Sequence, residues 1–232
     1  MEIAVLMASG MGTRMQPLTE TVPKPLLKVA GRPMIESVIE GLRYRGVDDI
    51  YVVVGYLGEQ FDYLEQKYPE VKLINNPDFA VVNNISSVYY ACDVMKNADC
   101  FICEADLYVA DPNIFRVQLQ ESCYYGKMVE GHSDDWVFDL DENGFISRVG
   151  KIGDDRFNMV GIAYLKEKDV ESLTCAIQET YHTDGYETLF WDDVVNRNLH
   201  QIKLRIQPVK VDQIVEIDTV KELEEANRRF AN

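Results

Sequence analysis

The chain has 232 residues, 47% of them apolar, and 23 lysines and arginines against 39 aspartates and glutamates, for a formal net charge of −16. Such a length supports one sizeable core, while the charge sets the protein against nucleic acids and anionic membrane surfaces. No apolar run reaches the roughly 18 residues of a membrane span, and five cysteines, an odd number, fit a reducing compartment. The N-terminal IAVLM run has neither the basic flank nor the cleavage site of a signal peptide, so small-molecule chemistry in the cytoplasm is expected.

In chain order, EIAVLMA at 2–8 predicts a buried strand, and Met34, Ile35, Val38, Ile39 and Leu42 share one face of a helix predicted from Pro33 to Arg45. A strand at 49–56, a helix near 59–67, a strand at 71–75, a helix over 86–95 and a strand at 100–105 follow. That alternation implies a parallel sheet, with residues 1–110 as the nucleotide-binding part of a single domain. Beyond Asp111 the rhythm changes. Strands are predicted at 124–129, 135–140, 145–149 and 158–164, with DENG at 141–144 as a turn. Helices near 166–180 and 187–197, a strand at 214–217 and a helix at 219–230 complete an α/β chain whose second part, 111–232, is expected to be a mixed substrate-binding portion with a closing helix. Cys100 and Cys103 form a CxxC inside an apolar run and read as core packing; His132, His182 and His200 are too scattered to form a site.

The first strand runs into LMASGMGTRMQPLTETVPKPL. Its glycines match neither the GxxxxGK[ST] cradle nor the full dinucleotide fingerprint. What it offers is a run of small residues, Ala8, Ser9, Gly10 and Gly12, whose bare backbone can approach an anion and donate N–H groups. Arg14 adds a planar cationic fork, and Lys24, held in Pro-Lys-Pro, adds a point charge. The loop is a positive island in an acidic chain.

GxGTRM, then PLT, then PKPL resembles the signature of the nucleotidylyltransferases that activate sugar and alcohol phosphates. VVVGYLGEQFDYL, Asn83-Asn84 with the following SSV, EAD at 104–106, FWDD and EIDT at 216–219 are most similar to the bacterial CTP:phosphocholine cytidylyltransferases. The resemblance implies a Rossmann-like nucleotidyltransferase fold with a mixed, mostly parallel central sheet and flanking helices. It assigns Gly10, Gly12 and Arg14 to the nucleotide and Lys24 to the reacting phosphates. Asp106 and Asp218, each at a strand end, would hold Mg²⁺, since that cation needs only one or two carboxylates beside phosphate and water oxygens. Glu104 and Glu216, two residues earlier on each strand, would support them. Asn84 and Ser87 would line the base site, with Tyr56 nearby.

For the acceptor, the only two tryptophans, Trp136 and Trp191, lie among acids, including Glu187 and Asp192. Aromatic faces with nearby carboxylates suit a quaternary ammonium. The expectation is therefore CMP transfer from CTP to phosphocholine, giving CDP-choline and pyrophosphate. The alternatives are 2-aminoethylphosphonate or phosphoethanolamine as acceptor; a sugar 1-phosphate enzyme or an inactive regulatory module is weaker, because Arg14, Lys24, Asp106 and Asp218 are all intact.

Overall fold

The computed structural model describes residues 1–231. Strand β1 (Glu2–Ala8) is followed by two short strands, β2 (Lys28–Val29) and β3 (Arg32–Pro33), and by helix α1 (Met34–Arg45). Helix α1 stops at Gly46, whose positive φ of 93° lets its N–H return to the carbonyls of Leu42 and Arg43. Then come β4 (Asp49–Val54), α2 (Tyr63–Lys67), β5 (Val71–Asn75), α3 (Ile85–Met95) and β6 (Asp99–Glu104). The second part holds β7 (Leu107–Val109), the long β8 (Cys123–Leu140) and β9 (Ile146–Leu165), α4 (Glu167–Thr180), α5 (Trp191–Arg197), β10 (Arg205–Pro208), β11 (Ile214–Glu216) and α6 (Val220–Phe230).

Seven strands form the main sheet in the order β10-β8-β9-β6-β1-β4-β5. Strand β1 runs parallel to β4 and β6, and β4 parallel to β5; β9 is antiparallel to both β6 and β8. The sheet is buried on both faces, which is why β1 is apolar throughout: Ile3 and Val5 enter one core, Ala4 and Leu6 the other. Helices α3, α4 and α5 cover the first face, α1 and α2 the second. Chain order reverses beside β1, since β4 lies on one side of it and β6 on the other, and a ligand crevice is expected at the carboxyl ends of such strands.

Three predicted features differ. The four strands predicted between 124 and 164 are two, β8 and β9, paired along one long irregular hairpin. Helix 187–197 shortens to α5, preceded by a single 3₁₀ turn at Tyr186–Thr188. Strand 214–217 does not join the main sheet: β11 pairs antiparallel with β7 as a separate ribbon. Cys100 and Cys103 are fully buried free thiols in β6, as packing requires. Among the described residues, no helix is long and apolar enough to cross a membrane.

Candidate active site

A crevice of about 640 Å³ opens at the carboxyl ends of β1 and β6, lined by the loop after β1, the segment before α3, the β8–β9 hairpin and the ends of β6 and β11. Gly10 and Gly12 both line it. Gly12 has φ +60°, and a Cβ there would lie 2.9 Å from Cβ of Lys24, so this position needs glycine for conformation and for space. A Cβ on Gly10 would meet nothing within 4 Å, which leaves its backbone open to a ligand. The loop is laced from behind: Thr19 Oγ1 donates to the Gly12 carbonyl at 2.9 Å, and Tyr56 Oη donates to the Thr19 carbonyl at 2.9 Å. Tyr56 thus braces the loop instead of facing the base, because its hydroxyl is spent on that carbonyl and its ring is not part of the crevice lining.

The structure brings Arg14, Lys24, Asp106 and Asp218 together. Lys24, only 7% exposed, donates to Asp106 Oδ2 and to Asp218 Oδ1, both at 2.6 Å. Arg14 Nη2 donates to Asp218 Oδ1 at 2.7 Å from a solvent-exposed position. Burial alone would lower the Lys24 pKa, but Asp106 and Asp218 outweigh it and raise the ammonium above its ordinary value. Asp218 is free for this role because α6 is capped by its neighbour: Thr219 accepts from the Glu222 N–H, and the Glu222 carboxylate accepts from the N–H groups of Thr219 and Asp218.

Glu104 and Glu216 line the same crevice. Burial raises both carboxyls, with Asp106 as the next cause in each case, so four acids face two cations. Both glutamates therefore favour the neutral acid near neutral pH, and a cation bound beside them would draw them toward the carboxylate form. Asp106 Oδ1 is buried without a hydrogen-bond partner, a free hard oxygen donor of the kind Mg²⁺ takes. Among the described residues no cluster of three or more metal-binding side chains exists, so a metal here would rest on Asp106, Asp218 and ligand oxygens.

On the nucleotide side, Ser9 and Ser87 hydroxyls lie 2.8 Å apart, and fully buried Asn76 donates through Nδ2 to Ser9 Oγ at 3.1 Å and to Ser86 Oγ at 2.9 Å. Asn76 escaped the sequence reading; its place just past the end of β5, in INNP, was its only signal. Asn84 lines the crevice while its Oδ1 accepts from the Trp191 N–H at 3.0 Å, tying the segment before α3 to the start of α5.

The expected pair of tryptophans does not form. Trp136 lines the crevice, but Trp191 is 3% exposed and its ring packs against Tyr124 in the core, with centroids 5.6 Å apart. Its place is taken by Phe190, set edge-on to Trp136 at 5.5 Å and 70°. Glu187 is exposed and outside the crevice lining; only its carbonyl is used, by the Asn83 N–H at 2.8 Å. Asp134, Asp135 and Asp192 do line the crevice, as Trp136 does, and so does Lys151, a residue the sequence reading passed over.

Asp192 is buried and accepts from Tyr124 Oη at 2.8 Å. Burial pushes its carboxyl up to about 7, against the opposing effect of that hydrogen bond. A raised folded-state pKa favours the protonated acid, so this residue's contribution to stability is full below the unfolded value near ~4 and is lost as pH rises to about 7. Asp192→Asn keeps an acceptor for Tyr124 without the charge. It should stabilise the protein at pH 8 by about 2–4 kcal/mol, several degrees in Tm, and have little effect at pH 4. Thermal unfolding of both proteins across that range checks the sign; an equal shift at both pH values would contradict it.

Comparison with known proteins fixes the family at this point. Residues 4–136 match the model of the MobA-like NTP transferase domain. The chain is 51% identical to a 2-aminoethylphosphonate cytidylyltransferase of Lancefieldella rimae, over 95% of this chain and 89% of that one. The chain belongs to the MobA-like NTP transferase family, and it is a cytidylyltransferase. It is also 32% identical to a choline-phosphate cytidylyltransferase of Streptococcus pneumoniae over 94% of each chain. The solved structure of the CTP:phosphocholine cytidylyltransferase from Streptococcus pneumoniae superposes with a TM-score of 0.90 at 30% identity, covering 98% of each chain. This cytidylyltransferase therefore has the nucleotidyltransferase fold expected from its sequence.

Proposed function

We propose that the enzyme transfers CMP from CTP to 2-aminoethylphosphonate, releasing pyrophosphate. The observation that carries the acceptor is the 51% identity to the 2-aminoethylphosphonate enzyme against 32% to the choline-phosphate enzyme. The geometry agrees. With Trp191 in the core, the acceptor end is a corner of two rings bordered by Asp134, Asp135 and Asp192, not a box of tryptophans. A primary ammonium has three N–H donors to place on carboxylates, whereas a trimethylammonium has none and depends on aromatic faces. Phosphocholine, the acceptor expected from the tryptophans, is thereby displaced by the primary amine.

In the reaction a phosphonate oxygen attacks the α-phosphorus of CTP; the new P–O bond forms as the bond to the bridging oxygen breaks and pyrophosphate leaves. The oxyanion is already deprotonated near neutral pH, so no general base is needed, and alignment and charge stabilisation carry the catalysis. The backbone at Gly10 and Gly12 approaches the phosphates, Arg14 holds the outer ones, and Lys24 leaves its carboxylate partners for oxygens of the transferring group. Asp106 and Asp218 would hold Mg²⁺, which when bound supplies charge neutralisation at the phosphates. Asn84 and Ser87, the latter held by Ser9, which Asn76 holds in turn, would bound the cytosine.

Pyrophosphate release measured for four nucleoside triphosphates against three acceptors tests this. CTP with 2-aminoethylphosphonate should give the highest kcat/KM, at least about tenfold over phosphocholine, a factor worth ~1.4 kcal/mol in transition-state binding. A preference for phosphocholine would contradict the acceptor, and equal use of UTP the base site.

A further inference from the structure

Lys151 sits opposite Trp136 in the β8–β9 pairing, and its Nζ lies 5.5 Å from the Trp136 ring centroid and 5.6 Å from that of Phe190. Among the described residues it has no salt bridge, unlike Arg14 and Lys24, the two other cations that line the crevice. The protein thus places an ammonium of its own in the aromatic corner where a substrate's quaternary ammonium would bind.

We propose that Lys151 is the residue that excludes quaternary ammonium acceptors. A trimethylammonium needs those two ring faces and meets a like charge already on them. The primary ammonium of 2-aminoethylphosphonate can instead donate to the exposed carboxylates that line the same end, Asp134 and Asp135, and these also offset the repulsion from Lys151. Lys151 therefore sets specificity by occupation, through a side chain that the hairpin register, and not the nucleotide loop, delivers. This inference rests on the acceptor reading above.

Lys151 is exposed, so substitution should leave the fold intact. The test compares wild type, Lys151→Ala and Lys151→Arg, measuring kcat/KM for 2-aminoethylphosphonate and for phosphocholine, and phosphocholine binding by tryptophan fluorescence. Trp136 reports the corner while Trp191 lies in the core. Lys151→Ala should raise the phosphocholine-to-aminoethylphosphonate ratio at least tenfold and tighten phosphocholine binding; Lys151→Arg, which keeps a cation over the rings, should keep the wild-type ratio. A ratio within threefold of wild type in Lys151→Ala, or an equal loss with both acceptors, as expected if Lys151 held the phosphonate, would overturn the inference and leave the acceptor reading standing. A wild type that prefers phosphocholine overturns both.

Discussion

Lys24→Met is expected to lower kcat by at least about a hundredfold, the cost of ~3–4 kcal/mol typical for losing one group aimed at developing charge. The expectation follows from the position of the ammonium: 7% exposed, beside Gly12, and within 2.6 Å of both strand-end aspartates. A buried cation so placed reaches whichever oxygen anions fill the crevice, and methionine preserves its length and packing but not its charge. Because removing one partner of a buried pair strands the others, a stability loss of about 3–5 kcal/mol is expected as well. Turnover must therefore be measured below the variant's unfolding transition, with circular dichroism as control. Loss of stability with kcat within a few-fold of wild type would make Lys24 a structural counter-ion only.

Asp106→Asn and Asp218→Asn should each lower turnover by about a hundredfold or more, several kcal/mol being the usual scale of metal-assisted charge stabilisation. Wild-type turnover should likewise vanish in excess chelator and return with Mg²⁺. Each variant leaves Lys24 its other aspartate, so the stability loss should be smaller than in Lys24→Met. A large loss of turnover with a small loss of stability separates a failed charge centre from general disruption. Chelator-resistant activity would contradict a metal at these aspartates.

The nucleotide half of the fold was legible because its central strands β1 and β6 are buried on both faces and so read as near-continuous apolar runs, with helices of 3.6-residue apolar period between the strands. The acceptor half was legible only in pieces. Exposed polar stretches such as GHSDD and KIGDDRF look like loops, yet they are the paired middle of β8 and β9, carried through irregular register shifts and positive φ at Gly131, Ile152 and Asp155. The loop chemistry of Gly10, Gly12, Arg14 and Lys24 was local and could be read. The aromatic corner was not, because FWDD gives no sign of which ring faces inward, and the start of α5 turns Trp191 into the core, leaving Phe190 beside Trp136. Lys151 is joined to Trp136 only by strand register, which neither residue's neighbourhood in the sequence reveals.

A single competition reaction tests the central claim most directly: enzyme, Mg²⁺ and limiting CTP with equimolar 2-aminoethylphosphonate and phosphocholine, followed by ³¹P NMR. The account predicts that CTP signals give way to pyrophosphate and a mixed phosphonate–phosphate anhydride with CMP, while phosphocholine is left at least about tenfold less consumed. Accumulation of CDP-choline as the main product would contradict it.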